Sequence, residues 1–431
     1  MSPLISDASP PSPATPTPGS PLAPTAGSQR IVSIDVLRGV VLLGILVMNV
    51  SFMGWPEAWA MDSLRFVDDR PIERGLWWLA EVFANMKMMS IFSLLFGAGV
   101  VMMADRALAA GRSSAGLHYK RMGWLLLIGL VHLFLMWYGD ILVLYALVGS
   151  VAYLLRRLPV VWLLVIACVL LAVVFVIWLG FAGLVLMLKQ HDPAQYAAFE
   201  MYDMAEIEGE VAAYRGGLLD QLAHRVPSAL FMVLLLGPML YFWWAGGMML
   251  LGMAAMKSRL LAGAWSSKAY AGMLAVGGLV GVPLAGGLAW YKLTSGSERP
   301  EMVFLLMSAH FATTLLIVPG WVGGVMLLCK QPWFAKVSHP LACVGRMALT
   351  NYLSQTLIVT FIFYGHGLGY FAKLERPAMF GIVLGVWVLQ LVWSPIWLAR
   401  FRFGPMEWVW RSLTYLRLEP MRRRAAVGGG A

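Results

Sequence analysis

The sequence predicts an all-α, polytopic membrane helix bundle of about ten transmembrane helices, with both termini cytoplasmic. Three observations predict it. Sixty per cent of the 431 residues are hydrophobic and 13% are charged, where a soluble domain carries about 25% charge, so the chain cannot cover itself with a water-facing coat. The apolar residues fall in unbroken runs such as VWLLVIACVLLAVVFVIWLGFAGLVLML over 161–188. A hydrocarbon core of ~30 Å needs about 20 residues at 1.5 Å each. Finally, basic residues crowd into alternate short loops. Within lipid only helices and closed barrels satisfy their backbone groups, and runs apolar on every side are helices.

Residues 1–29 are rich in Pro, Ser, Thr and Ala and have almost nothing to bury; they read as a disordered tail. They are not a signal peptide, because the first apolar run after Arg30 is full-span and contains Asp35 and Arg38. A transmembrane domain follows over 30–400. Its spans fall at about 34–54, 77–104, 121–138, 141–157, 160–188, 227–256, 268–291, 302–329, 341–364 and 378–399. An acidic outer loop, 189–225, separates the fifth and sixth spans. Its stretch YAAFEMYDMAEIEGEVAAYRGGLLDQL predicts a helix lying at the outer surface, either a lid over a site or a polar connector. Residues 401–431 form a cytoplasmic interfacial helix, PMEWVWRSLTYL, too short to span, and a basic tail.

The net charge of +10 does not point to nucleic acid, since the basic residues flank spans, where they set topology and meet anionic lipid. With the N-terminus inside, 20 of the 32 Lys and Arg fall in cytoplasmic segments and 10 in outer ones, leaving Arg38 and Lys87 within spans. The three cysteines suggest no disulfide framework, and no zinc-ligand spacing occurs, so no metal is expected. Gly277, Gly281, Ala285 and Ala289 recur every four residues as a stripe for close helix packing, and Gly97 and Gly99 suit the same role.

Charged groups inside spans cost about 2.5–3.5 kcal/mol on insertion scales and are functional candidates for that reason. Asn49, Lys87, His132, Asp140 and His310 fall within roughly 15 Å of depth and could face one outward-leaning cavity. His132 is the candidate base: a neutral imidazole takes a proton from an attacking hydroxyl or amine and returns it to a leaving group. Asp140 would orient the ring, and Lys87 would act as a lowered-pKa amine or an anion clamp. The plainer alternative is a histidine bonded to a neighbouring helix with Lys87 and Asp140 as an ion pair. A second polar layer lies on the inner side: Asp35 and Arg38 one turn apart, a stripe of Arg346, Thr350, Asn351, Ser354 and Gln355, and the i, i+4 pair Glu407 and Arg411. Guanidiniums at a cytoplasmic mouth suit phosphates.

Five stretches carry a resemblance. SIDVLRGVVLLGILVMNV, MKMMSIFSLLFGAGV, GLVHLFLMWYGDILVLYALVG, GRMALTNYLSQTLIV and GPMEWVWRSLTY resemble, in order, those of the YeiB-like bacterial membrane proteins, over about residues 30–417. The D-x-L-R-G opening also resembles that of heparan-alpha-glucosaminide N-acetyltransferase and the transmembrane acyltransferases. The resemblance implies a multi-pass protein of the bacterial inner membrane. It further implies an acetyl group moved from cytoplasmic acetyl-CoA to a hydroxyl or amine acceptor, a saccharide being one class. Asp35, Arg38, Arg346 and Asn351 would then bind the donor, His132, Asp140 and Lys87 carry the chemistry, and Asn49, Gln355 and His310 face the acceptor. The chain has no counterpart of the loop histidine before helix two of the eukaryotic enzyme; the equivalent stretch EVFANMK offers Lys87. A proton-coupled transporter using Lys87, His132 and Asp140 as a relay is the alternative, and a scaffold or sensor binding a partner through the acidic loop is a third reading. A second copy of the chain is left open as a partner.

Overall fold

The computed structural model describes residues 31–62, 64, 70–111, 113–200, 203–295 and 299–423; the expected N-terminal tail, 1–29, lies outside them. Among the described residues, eight helical stretches are long and apolar enough to cross a membrane, and two shorter apolar helices, Leu142–Leu155 and Ala348–Phe363, complete the ten expected. The protein is an all-α, multi-pass membrane protein.

In chain order the helices are α1 (Val32–Gly54), α2 (Pro71–Phe83), α3 (Lys87–Ala109), α4 (Ala115–Val131), α5 (Leu142–Ala152), α6 (Val160–His191), α7 (Met204–Arg215), α8 (Leu218–Phe231), α9 (Phe242–Lys257), α10 (Ser267–Ala275), α11 (Val282–Ser295), α12 (Pro300–Cys329), α13 (Phe334–Arg346), α14 (Ala348–Phe363), α15 (Arg376–Arg400) and α16 (Pro405–Tyr415). π-helical turns join α8 to α9 and α10 to α11 and extend α4.

Two helices organise the core. α9 is buried along most of its length through Trp244, Met248, Met249 and Met253 and packs on α3 and α6. The contact with α3 is backbone to backbone: a Cβ on Gly97 would stand 1.9 Å from the Met249 carbonyl oxygen. α1 packs on α13 in the same way, with a Cβ on Gly39 meeting the Leu341 oxygen at 2.0 Å and one on Gly345 meeting the Asp35 oxygen at 1.9 Å. Only glycine permits such approach. The stripe expected on the seventh span is a packing face, with Gly277 against Gly320 and Gly281 against Ile317; Gly99, by contrast, meets nothing and borders open space. Exposed Val161, Trp162, Val169, Val176 and Leu184 line α6 on the side turned away from the bundle, a surface suited to lipid. All three cysteines are free.

Four expectations change. The second span is broken at Ala84–Met86, where Met86 takes a positive φ of 60°. The ninth span is two helices divided at Met347, so Arg346 ends α13 instead of starting α14. The acidic loop is helical, but in pieces: α6 runs on to His191, Pro193–Glu200 and α7 follow, and α8 already begins at Leu218. The C-terminal helix α16 docks on the bundle, its Trp410 indole N–H bonding the Arg121 carbonyl at 2.9 Å.

Candidate functional site

His132 and Asp140 meet because α4 ends in a π-turn. Over His132–Met136 the helix widens, the Trp137 N–H returns to the His132 carbonyl at 3.0 Å, and Trp137 is extended. Three residues later Asp140 stands just before α5, with Oδ1 accepting the Val143 N–H at 2.7 Å. Its second oxygen, Oδ2, lies 2.7 Å from His132 Nδ1, and both side chains are at most 1% exposed. A carboxylate only accepts, so Nδ1 carries a proton, and a neutral ring would leave Nε2 as an acceptor. Nε2 lies 2.9 Å from Thr356 Oγ1 on α14, within hydrogen-bond distance. The pair expected from sequence is formed, with a hydroxyl that sequence did not single out.

Beside the pair opens a cavity of about 350 Å³, the lower end of the usual range for small-molecule sites. Among the described residues its lining holds six arginines (Arg38, Arg106, Arg121, Arg346, Arg402 and Arg411) against Asp35 and Glu407. The Gly39–Gly345 crossing brings the Asp35–Arg38 pair, bonded at 3.0 Å, beside Arg346. α16 closes the mouth. Glu407 does not pair with Arg411 as expected; its Oε1 caps α14 by accepting the Leu349 and Thr350 N–H groups at 2.6 and 3.1 Å, and Oε2 takes the Thr350 hydroxyl at 2.6 Å. Burial pushes the Glu407 carboxyl up, and these hydrogen bonds hold it back. Arg121 stacks on Trp410 at 4.4 Å and Arg411 on Phe403 at 4.7 Å. The rest of the lining is largely apolar and includes Tyr145 and Tyr352. The Tyr352 ring is 5.1 Å from that of His132, so one aromatic ring separates the basic cavity from the histidine–carboxylate pair.

Comparison with known proteins places the chain. It is 34% identical to "Uncharacterized protein YeiB" of Escherichia coli (strain K12) over 391 residues, which is 90% of this chain and 96% of that protein. The chain belongs to the YeiB-like family. It is also 33% identical to "Uncharacterized protein YxaH" of Bacillus subtilis (strain 168) over 93% of this chain and 98% of that one. To an "Uncharacterized 39.9 kDa protein in amylase 3'region" of Bacillus acidopullulyticus it is 28% identical, over 91% and 96%. The family described as "Protein of unknown function (DUF418)" matches residues 255–417, which include Arg346, Tyr352, Thr356 and Glu407. No solved structure matches.

The other candidates of this YeiB-like chain fall elsewhere. The outer cavity expected to be shared by Asn49, Lys87, His132, Asp140 and His310 is not formed, and the last four fall into two clusters. Lys87 Nζ donates to the Glu81 carbonyl at 2.8 Å and lies 3.3 Å from His310 Nε2, while His310 Nδ1 meets Glu81 Oε1 at 3.2 Å. The broken second span makes this chain possible by turning Glu81 back towards Lys87. Asn351, expected to bind the donor, is fully buried between α13 and α15, donating to the Val344 carbonyl and Ser394 and accepting from the Trp393 indole. Gln355, expected to face the acceptor, bonds Gln390 at 2.9 Å. Both serve helix packing, and Asn49 lies half-buried on α1. Sequence reasoning read Arg121 only as a topology signal and missed Tyr352 and Thr356. The signal was available, because Tyr352 and Thr356 form an i, i+4 pair of their own, each one residue on from Asn351 and Gln355 of the polar stripe.

Proposed function

We propose that this chain is a membrane acyltransferase of the bacterial inner membrane, both termini cytoplasmic, that takes an acetyl group from acetyl-CoA. One observation carries the reading: an arginine-ringed cavity leads inward to Tyr352, a single ring from the His132–Asp140 pair. The arginines suit the donor's phosphates by bidentate, charge-assisted bonds, and the apolar inner end suits its acyl arm. His132 Nε2, exchanging Thr356 for the acceptor, would take the proton of an acceptor hydroxyl or amine. The acceptor oxygen or nitrogen then bonds the thioester carbon, the carbon–sulfur bond breaks, and the leaving thiolate takes the proton from the imidazolium. Asp140 holds the tautomer and offsets the ring's transient charge.

The test is thermal unfolding of the detergent-purified protein with acetyl-CoA, beside an Arg38→Ala, Arg346→Ala variant. At about 100 times the dissociation constant a ligand stabilises by about 2.7 kcal/mol. A shift that disappears in the variant supports the reading, and no shift at millimolar acetyl-CoA defeats it. Unchanged acylation by His132→Ala would remove the histidine from the mechanism. A second reading is favoured by the buried Glu81–His310–Lys87 chain, which suits a proton relay in a transporter. It requires substrate-dependent proton flux in sealed vesicles with no covalent product.

A further inference from the structure

At the opposite end of α14 from the basic cavity lies a second set of buried polar groups, which neither reading uses. Along this helix Tyr352 borders the cavity, Thr356 meets His132, and Tyr364, the residue after the last turn, is roughly 18 Å beyond Tyr352. There the Tyr364 ring lies 4.6 Å from that of Tyr214 on α7, and the guanidinium of Arg225 on α8 stands 5.6 and 5.9 Å from the two ring centres. Arg225 is 1% exposed. Its Nη1 donates to the Leu135 carbonyl at 2.7 Å and the Phe134 carbonyl at 3.4 Å, groups of the π-turn that begins at His132. Its Nε and Nη2, which together form one bidentate edge, make no hydrogen bond. The hydroxyls of Tyr138, Tyr214 and Tyr364 are likewise buried without one. Tyr214 lies within reach of both Arg225 and Tyr364, but none of these contacts meets the distance and angle of a formed hydrogen bond. Among the described residues no carboxylate is in ion-pair contact with Arg225. The nearby Glu210 carboxylate is engaged instead by the Glu57 N–H, at 3.1 and 3.3 Å.

What is left over is chemically one-sided. A phenol with its ordinary pKa of about 10 is protonated at neutral pH, so each tyrosine keeps a proton to donate. The guanidinium edge adds two more donors and a positive charge. Water can satisfy a phenol, but a buried cation calls for a counter-charge. The complement of a flat two-donor edge flanked by hydroxyls is a planar, singly charged acceptor. A dianion is disfavoured by Glu57 and Glu210 close by. We propose that Arg225, Tyr138, Tyr214 and Tyr364 form a binding site for the carboxylate of a small molecule, roofed by α7. The site does not rest on the acyl-transfer reading, since a transported substrate would use it equally.

Thermal unfolding of the full-length, detergent-purified protein in sodium acetate tests it, against sodium chloride, sulfate and phosphate at matched ionic strength. In the Arg38→Ala, Arg346→Ala background, which disables phosphate binding at the basic cavity, acetate should give a saturable upward shift that the other anions do not. Tyr214→Phe with Tyr364→Phe, which removes only two hydroxyls, should weaken acetate binding about tenfold and leave the ligand-free protein folded. Arg225→Gln should abolish binding. The Arg38→Ala, Arg346→Ala variant should retain it, which separates this site from the basic cavity. The proposal is overturned if acetate shifts no more than chloride, if sulfate or phosphate matches it in the Arg38→Ala, Arg346→Ala background, or if the double tyrosine variant responds like the parent.

Discussion

His132 and His310 are both buried, both have a carboxylate at Nδ1, and both have a second partner at Nε2. They differ in what that second partner is and in what lies next door. His132 meets a neutral hydroxyl that can be exchanged for another, one ring away from an open cavity. His310 meets the amine of Lys87, which is itself fixed to the backbone of Glu81, and no residue of that cluster lines the cavity. A histidine–carboxylate pair is therefore not a sign of chemistry by itself. Access and an exchangeable partner are what set the two apart.

The largest effect that would break this contrast is on stability. Glu81→Ala leaves Lys87 buried without its counter-charge and should cost about 3–5 kcal/mol. Asp140→Asn can still cap Val143 and leaves no such ion, so it should cost about 1 kcal/mol while abolishing acyl transfer. Equal losses in denaturation experiments on the two variants would erase the distinction. Next, Gly345→Leu must push α13 away from the Asp35 carbonyl, an overpacking worth about 1–3 kcal/mol, and should weaken anion binding at the cavity with it.

A comparable effect is expected with pH at the other end of the molecule. Burial, with some repulsion from Glu57 and Glu206, raises the Glu210 carboxyl from 4.5 to about 7; His224 faces it at 4.0 Å. The folded state holds this proton more tightly than the unfolded one, so its contribution is complete below pH 4.5 and is lost as pH rises through 7. The unfolding temperature should fall across that window, and Glu210→Gln should flatten the fall. Smallest of all, Arg346→Ala should alter stability within about 0.5 kcal/mol yet remove most of the acetyl-CoA shift.

The bundle was legible because full-span apolar runs leave no other fold in lipid. Spacing did not reveal the breaks at Ala84–Met86 and Met347, because both lie inside otherwise continuous helical patterns and depend on tertiary contacts. The His132–Asp140 pair was legible because eight residues and one turn bring its members together. The partition of the outer polar groups was not, since depth says how far along a helix a side chain sits and nothing of the direction it faces. Lys87 and His310 share a level with His132 but belong to a different side of the bundle. Asn351 and Gln355 carried the same ambiguity: a polar stripe inside a membrane helix can line a cavity or lock neighbouring helices, and the three-dimensional structure shows the second.

The arrangement of α16 bears on how the protein is made. α16 and the segment before it give Arg402, Phe403, Glu407, Trp410 and Arg411 to the cavity lining, and Glu407 supplies the cap that α14 lacks on its own. These residues follow every spanning helix among the described residues, so the wall they complete is added to a bundle whose other members have already been made.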